Sequence, residues 1–146
     1  MAHPVILEQA GNEGVAIMNI DNRKTLDDLA RALRGLHQTL VQVVRREYER
    51  EWGAVAPGQL LQLLTRHPDF DWLHVLSEMM VEIDEMLDWE QLAAEDVRTI
   101  REAVAKMLAP GESVTSGFPQ RYLAALQADP AVVIAHTKVR RILDAR

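Results

Sequence analysis

The sequence predicts an all-α fold: a helical bundle of about six helices, four longer and two shorter, preceded by a short N-terminal extended arm or hairpin. Three observations point there. From Thr25 onward apolar residues recur at alternating spacings of three and four, the period of a helix with one buried face. After residue 24 no segment alternates apolar and polar residues as a half-buried strand does. Connections between the periodic segments are short and no repeat of 20–50 residues is present, which favours antiparallel neighbours over a solenoid.

Residues 1–24 are expected to form the arm. Two short apolar runs, Val5–Leu7 and Val15–Ile20, flank the turn signal Gly11-Asn12-Glu13-Gly14, and Asp21-Asn22 closes the segment. Residues 25–146 are expected to form one bundle domain. Thr25 is positioned to cap a long first helix of about residues 26–51, with Asp28 completing a capping-box-like pair and Leu26, Leu29, Leu33, Leu36, Leu40 and Val43 as its stripe. Gly53 and Pro57 break it. Pro57 then opens a short second helix, Gly58–Arg66, with leucines on nearly all sides, and His67-Pro68 ends it.

Asp69 is the expected cap of a third helix of about residues 70–87, whose stripe is Leu73, Leu76, Met80, Ile83 and Leu87. Asp88 followed by Gln91 resembles another cap, starting a fourth helix with Ala93, Val97, Ile100 and Val104 inward; Pro110-Gly111 stops it. Gly111–Gly117 reads as a loop, Pro119–Gln127 as a fifth helix, and Asp129-Pro130 as the cap and opening of a sixth, Val132–Ala145.

Composition sets outer bounds. The chain has 146 residues, 48% hydrophobic and 26% charged, as a single globular domain does, and at that size it can bury a core without metal or disulfide staples. No cofactor is expected. A net charge of −6 disfavours nucleic acid, because phosphate polymers are repelled unless a basic face is segregated. A helix-turn-helix around His67-Pro68 fails for the same reason: its second helix would present Asp71, Glu78, Glu82, Asp84 and Glu85 to phosphates. With no cysteine there are no disulfides, thiolate nucleophiles or Zn–thiolate sites, which suits a reducing compartment. The first residues lack the basic start and apolar run of a secretory signal, so a cytoplasmic, bacterial protein is expected. The longest uncharged stretch, Trp52–Thr65, is too short and too broken to span a membrane.

No motif specifies a reaction. Ser77, Ser113 and Ser116 are the serines, none in a nucleophile elbow, and the Gly111–Gly117 stretch lacks the Gly-Lys-Ser/Thr ending of a phosphate loop. Asp71, His74 and Glu78 are spaced three and four apart, so one helix face carries oxygen and imidazole ligands suited to a divalent metal. With the Leu73–Met80–Leu87 stripe inward, that face points outward, and its plain reading is a solvated acidic face. Polar residues that interrupt apolar stripes say more, because burying charge is costly unless it is paired. Glu47 sits on the first stripe, His136 beside Val132 and Val139, and Asp84 beside the third stripe, so Glu47–His136 or Asp84–His37 is a candidate ligand pocket or acid–base couple. A satisfied hydrogen-bond network is the alternative.

Charge asymmetry points to association. Residues 74–108 hold nine acids and three bases, net −6, and residues 109–146 hold three acids and five bases, net +2. Arg31, Arg34 and Arg45 line the outer face of the first helix, and Asp71, Glu78, Glu82 and Glu85 the outer face of the third. The third helix also carries Trp72, Val75, Met79 and Met86 beside its stripe, an apolar excess that fits either a central helix or an interface. The expected function is therefore a non-catalytic interaction protein, a homodimer or a binder of another protein through the third helix. The alternative is a metal- or small-molecule-binding protein with hydrolytic chemistry.

Overall fold

The computed structural model describes residues 5–109 and 117–145, with side chains from residue 20 onward. Among these residues there are six α-helices and no strand: α1 (Val5–Trp52), α2 (Pro57–Arg66), α3 (His74–Leu87), α4 (Ala94–Leu108), α5 (Gly117–Ala128) and α6 (Pro130–Asp144). A 3-10 helix, Pro68–Leu73, leads into α3. The Pro110-Gly111 stop and most of the Gly111–Gly117 loop lie outside the described residues. No helix of the described residues is long and apolar enough to cross a membrane.

The axis of the bundle is α1. Its 48 residues span about 72 Å at 1.5 Å per residue, whereas the longest of the other helices has 15 residues and spans about 22 Å. No single neighbour can cover it; α3, α4 and α6 pack against it, and its buried residues among those described lie between Leu26 and Val44. Leu26, Leu29, Leu33, Leu36 and Leu40 are fully buried along the face they share, as the three-four spacing requires. Phe70, Leu76, Ile83, Ile100, Val104, Tyr122, Val132 and Val139 complete the core from the surrounding elements.

No hairpin or extended arm forms over residues 5–24; they are the first turns of α1, and Thr25 lies inside the helix instead of capping it. Pro4 and Pro57 bracket a proline-free run, so no residue between them removes a helical N–H donor. Once the buried leucines have nucleated α1, extension toward Val5 adds one hydrogen bond per residue with no second nucleation cost. Gly11 and Gly14 weaken that extension by about 1 kcal/mol each relative to alanine without stopping it.

Two other helix starts differ from expectation. His67, not Asp69, caps the segment before α3: its Nδ1 accepts the Asp69 amide at 3.1 Å, and the chain makes a 3-10 turn before widening into α3. The fourth helix begins at Ala94 instead of Trp89, and Asp88 caps the end of α3. The Arg23 guanidinium of α1 donates to the Leu87 carbonyl at 2.6 Å and to the Trp89 carbonyl, and Asn22 Nδ2 donates to the Leu92 carbonyl at 2.8 Å. Those carbonyls are satisfied from α1, which holds residues 88–93 out of a helix. Asp96 Oδ2 accepts the Ala93 amide at 3.1 Å at the new start.

The remaining breaks fall where proline, glycine and aspartate place them. Gly53 ends α1 at φ +91°, a left-handed value open to glycine, while its amide donates to the Glu49 carbonyl at 2.9 Å. Arg45 and Glu49 clamp the following link: the Arg45 guanidinium donates to the Val55 carbonyl at 3.1 Å, and Glu49 accepts the Val55 amide at 3.2 Å. Asp129 caps α6 by accepting the Ala131 amide at 2.9 Å, and Pro130 fills the first position.

Candidate functional site

The metal candidate does not assemble. Asp71 and Glu78 are exposed, and His74 turns the other way, its Nε2 2.9 Å from the Leu64 carbonyl of α2. Among the described residues no three His, Asp or Glu side chains are placed to hold a metal ion. The contact with Leu64 takes the imidazole away from the two carboxylates, so the three- and four-residue spacing along the chain does not bring the ligands to one point.

The two acid–base couples do not form either. His136 pairs with Tyr122, whose hydroxyl lies 2.6 Å from its Nδ1. Burial pushes the Tyr122 phenol well up and, with Arg140 nearby, pulls the His136 imidazole down. Both effects favour a neutral imidazole accepting from a protonated phenol. Glu47 is exposed, since the α1 face turns from core to solvent near the end of the helix. Asp84 faces Arg34 at 3.8 Å, and His37 meets Ser77 of α3, with Nε2 3.0 Å from Oγ. Burial lowers the His37 pKa. Ser77 Oγ also donates to the Leu73 carbonyl one turn earlier at 3.3 Å, the back-bond of a helical serine. Among the described residues no carboxylate joins this His–Ser contact, so the geometry serves to tie α1 to α3. Apart from the Tyr122 phenol, no polar or charged side chain of the described residues is fully buried.

The expected interface residues divide. Met86 is buried in the core at 5% exposure, and Met79 and Trp72 are half-buried against it, Trp72 through a ring contact with Phe118 at 5.6 Å. The methionine excess of α3 is thus largely core. Val75 is exposed, as are Glu78, Glu82 and Glu85. The basic stripe of α1 is consumed within the chain: Arg31 pairs with Asp27 at 3.0 Å, Arg45 with Glu49 at 3.0 Å, and Arg34 with Asp84. Glu78, Glu82 and Glu85 on the outer face of α3 make no ion pair with a described residue.

Two concave features lie near these residues. A groove of about 200 Å³ runs between α3 and α4, with Met86, Ile100 and Ala103 as its floor, the half-exposed Trp89 indole at one end, and Glu82 and Asp96 on its rims. A second cavity of about 150 Å³ lies between α1, the 3-10 helix and α5, where Glu47 and Arg121 stand beside Trp72. The sequence signals for both were faint. Trp89 reads as edge packing until the non-helical 88–93 link carries it over the groove, and Arg121, Ala124, Ala125 and Ala128 share one face of α5 at helical spacing that is too alanine-rich to stand out.

No protein-family model, curated protein or solved structure matches the chain.

Proposed function

We propose that this chain is a non-catalytic interaction protein whose α3–α4 groove receives a basic amphipathic segment of another protein, in the cytoplasm of a bacterium. The observation that carries the reading is the groove: an apolar floor of Met86, Ile100 and Ala103, a tryptophan exposed at 46%, and carboxylates on both rims. Aromatic anchors beside apolar floors are favoured places for binding energy, and rim charges set partner choice and approach rate. Glu78 and Glu85 extend the same negative field along α3. Two copies of such a face repel one another, so a cationic partner suits it better than two-fold packing of the groove on itself. The cytoplasmic placement rests on the absence of cysteine.

The test combines light scattering behind a size-exclusion column with titration of a lysine- and leucine-patterned helical peptide, followed through the Trp89 indole resonance. The expected result is a monomeric chain that binds the peptide with saturation, more weakly as salt rises, and weakest of all in the Glu82→Lys variant. A stable dimer that blocks the peptide, or binding that Glu82→Lys leaves unchanged, would sink the reading.

A further inference from the structure

The cavity between α1, the 3-10 helix and α5 is separate from the α3–α4 groove, and its chemistry stands whether or not that groove takes a peptide. α5 presents Ala124, Ala125 and Ala128 to it, side chains too short to fill the space, and about 150 Å³ is left open. The buried Val43 and Val44 of α1 back the void, and Trp72 forms a wall that its contact with Phe118 holds in place. Glu47 from α1 and Arg121 from α5 stand on its rim. Neither makes an ion pair or hydrogen bond with the other or with any described residue, although the adjacent Arg45, Arg46 and Glu49 are all paired. An apolar void with an available carboxylate and an available guanidinium at its mouth is matched by a ligand that brings one charge of each sign and a small apolar body. A simple anion leaves Glu47 opposed, a metal cation leaves Arg121 opposed, and a neutral hydrocarbon uses neither charge.

We propose that this cavity binds a free α-amino acid with a compact aliphatic side chain, of the size of valine or leucine. Arg121 takes the carboxylate through two parallel N–H···O bonds, the geometry for which a guanidinium is preorganised. Glu47 accepts from the ammonium group. The aliphatic side chain enters between Ala124, Ala125 and Val44 and lies against Trp72. A void of this size accommodates a group about as large as benzene, which limits the side chain to a few carbons.

The experiment is a nuclear magnetic resonance titration of the full chain, following the Trp72 indole N–H and the α5 alanine methyls. The probes are L-valine, valine amide without the carboxylate, N-acetylvaline without the ammonium, and glycine without the side chain. Valine is expected to give saturable shifts at these resonances, and each analogue to bind about tenfold more weakly or worse, the loss of one charged hydrogen-bonding group or of the apolar body. Glu47→Gln and Arg121→Gln, both on exposed side chains, should each reproduce that loss for valine. Ala124→Leu should abolish binding by filling the void while both charges stay in place, with an unchanged far-ultraviolet spectrum showing that the bundle is intact. Absence of saturable shifts with valine, equal affinity for valine and the singly charged analogues, or valine affinity that survives Arg121→Gln overturns the proposal.

Discussion

Tyr122 of α5 and His136 of α6 share a 2.6 Å hydrogen bond at the edge of the core, and it ties together the last two helices of the bundle. The phenol is buried and kept protonated, and the imidazole is held neutral, so the contact has one arrangement in which both groups are satisfied. Tyr122→Phe removes the donor and leaves the ring packing against Phe118, with which Tyr122 stacks at 5.3 Å. The expected cost is about 1 kcal/mol in urea unfolding near neutral pH. A loss of several kcal/mol would mean that the ring packing had also been disturbed.

His136 and His37 both have folded-state pKa values below the ordinary 6.5, chiefly through burial. The unfolded chain therefore binds more protons in the interval between the folded and unfolded values, and stability rises with pH there. Their contribution is fully present above the unfolded value and is lost as pH falls through about 6.5 toward the folded values. Thermal unfolding between about pH 8 and pH 5 should show a falling midpoint, and the fall should be smaller in His136→Gln and smaller still when His37→Gln is added. An unchanged slope in the double variant would assign acid sensitivity to other groups.

Gly53 stands at φ +91° with open space around it, so a side chain there meets no neighbour and the cost of adding one is backbone strain alone. Gly53→Ala should lower stability by about 1–2 kcal/mol, the penalty for placing an L-residue in the left-handed region. Gly58, also in open space but at ordinary helical angles, is the control: Gly58→Ala should be neutral or stabilising in the same unfolding assay.

Asp129 has two tasks. Its Oδ1 accepts the Ala131 amide at the start of α6, and its Oδ2 receives Arg46 of α1 at 2.7 Å. Asp129→Ala should cost about 1–2 kcal/mol, most of it from the lost cap, and Arg46→Ala under about 1 kcal/mol, since that guanidinium is more than half exposed. Equal losses would show that the ion pair, rather than the cap, secures α6.

Two leucines should differ by where they sit. Leu36 is fully buried on α1, and Leu36→Ala is expected to cost about 2–5 kcal/mol. Leu61 on α2 is 67% exposed, and Leu61→Ala should change stability by less than about 0.5 kcal/mol. Chemical denaturation of the two variants side by side checks the assignment of α1 as the axis.

Period and punctuation were legible in the chain alone. The three-four spacing from Leu26 to Val43 requires a helix with one buried face, and Gly53, Pro57, Pro68, Asp129 and Pro130 act through local backbone geometry, so those boundaries could be read without a partner in view. The local pattern could not carry anything set by a second element. Whether residues 5–24 turn or continue depends on a helix already nucleated by core leucines. Where α4 begins depends on Arg23 and Asn22 of α1 taking the carbonyls of a segment more than sixty residues away. The partners of His37, His74 and His136 are Ser77, the Leu64 carbonyl and Tyr122, chosen by how helices cross and not by spacing along one of them. Glu47, Trp72 and Arg121 come from three elements, and only the packing of α5 on the 3-10 helix and α6, both of which pack on α1, places them around one cavity. Helical periodicity is a property of consecutive residues, whereas a site is a convergence of distant ones, and tertiary packing alone brings those together.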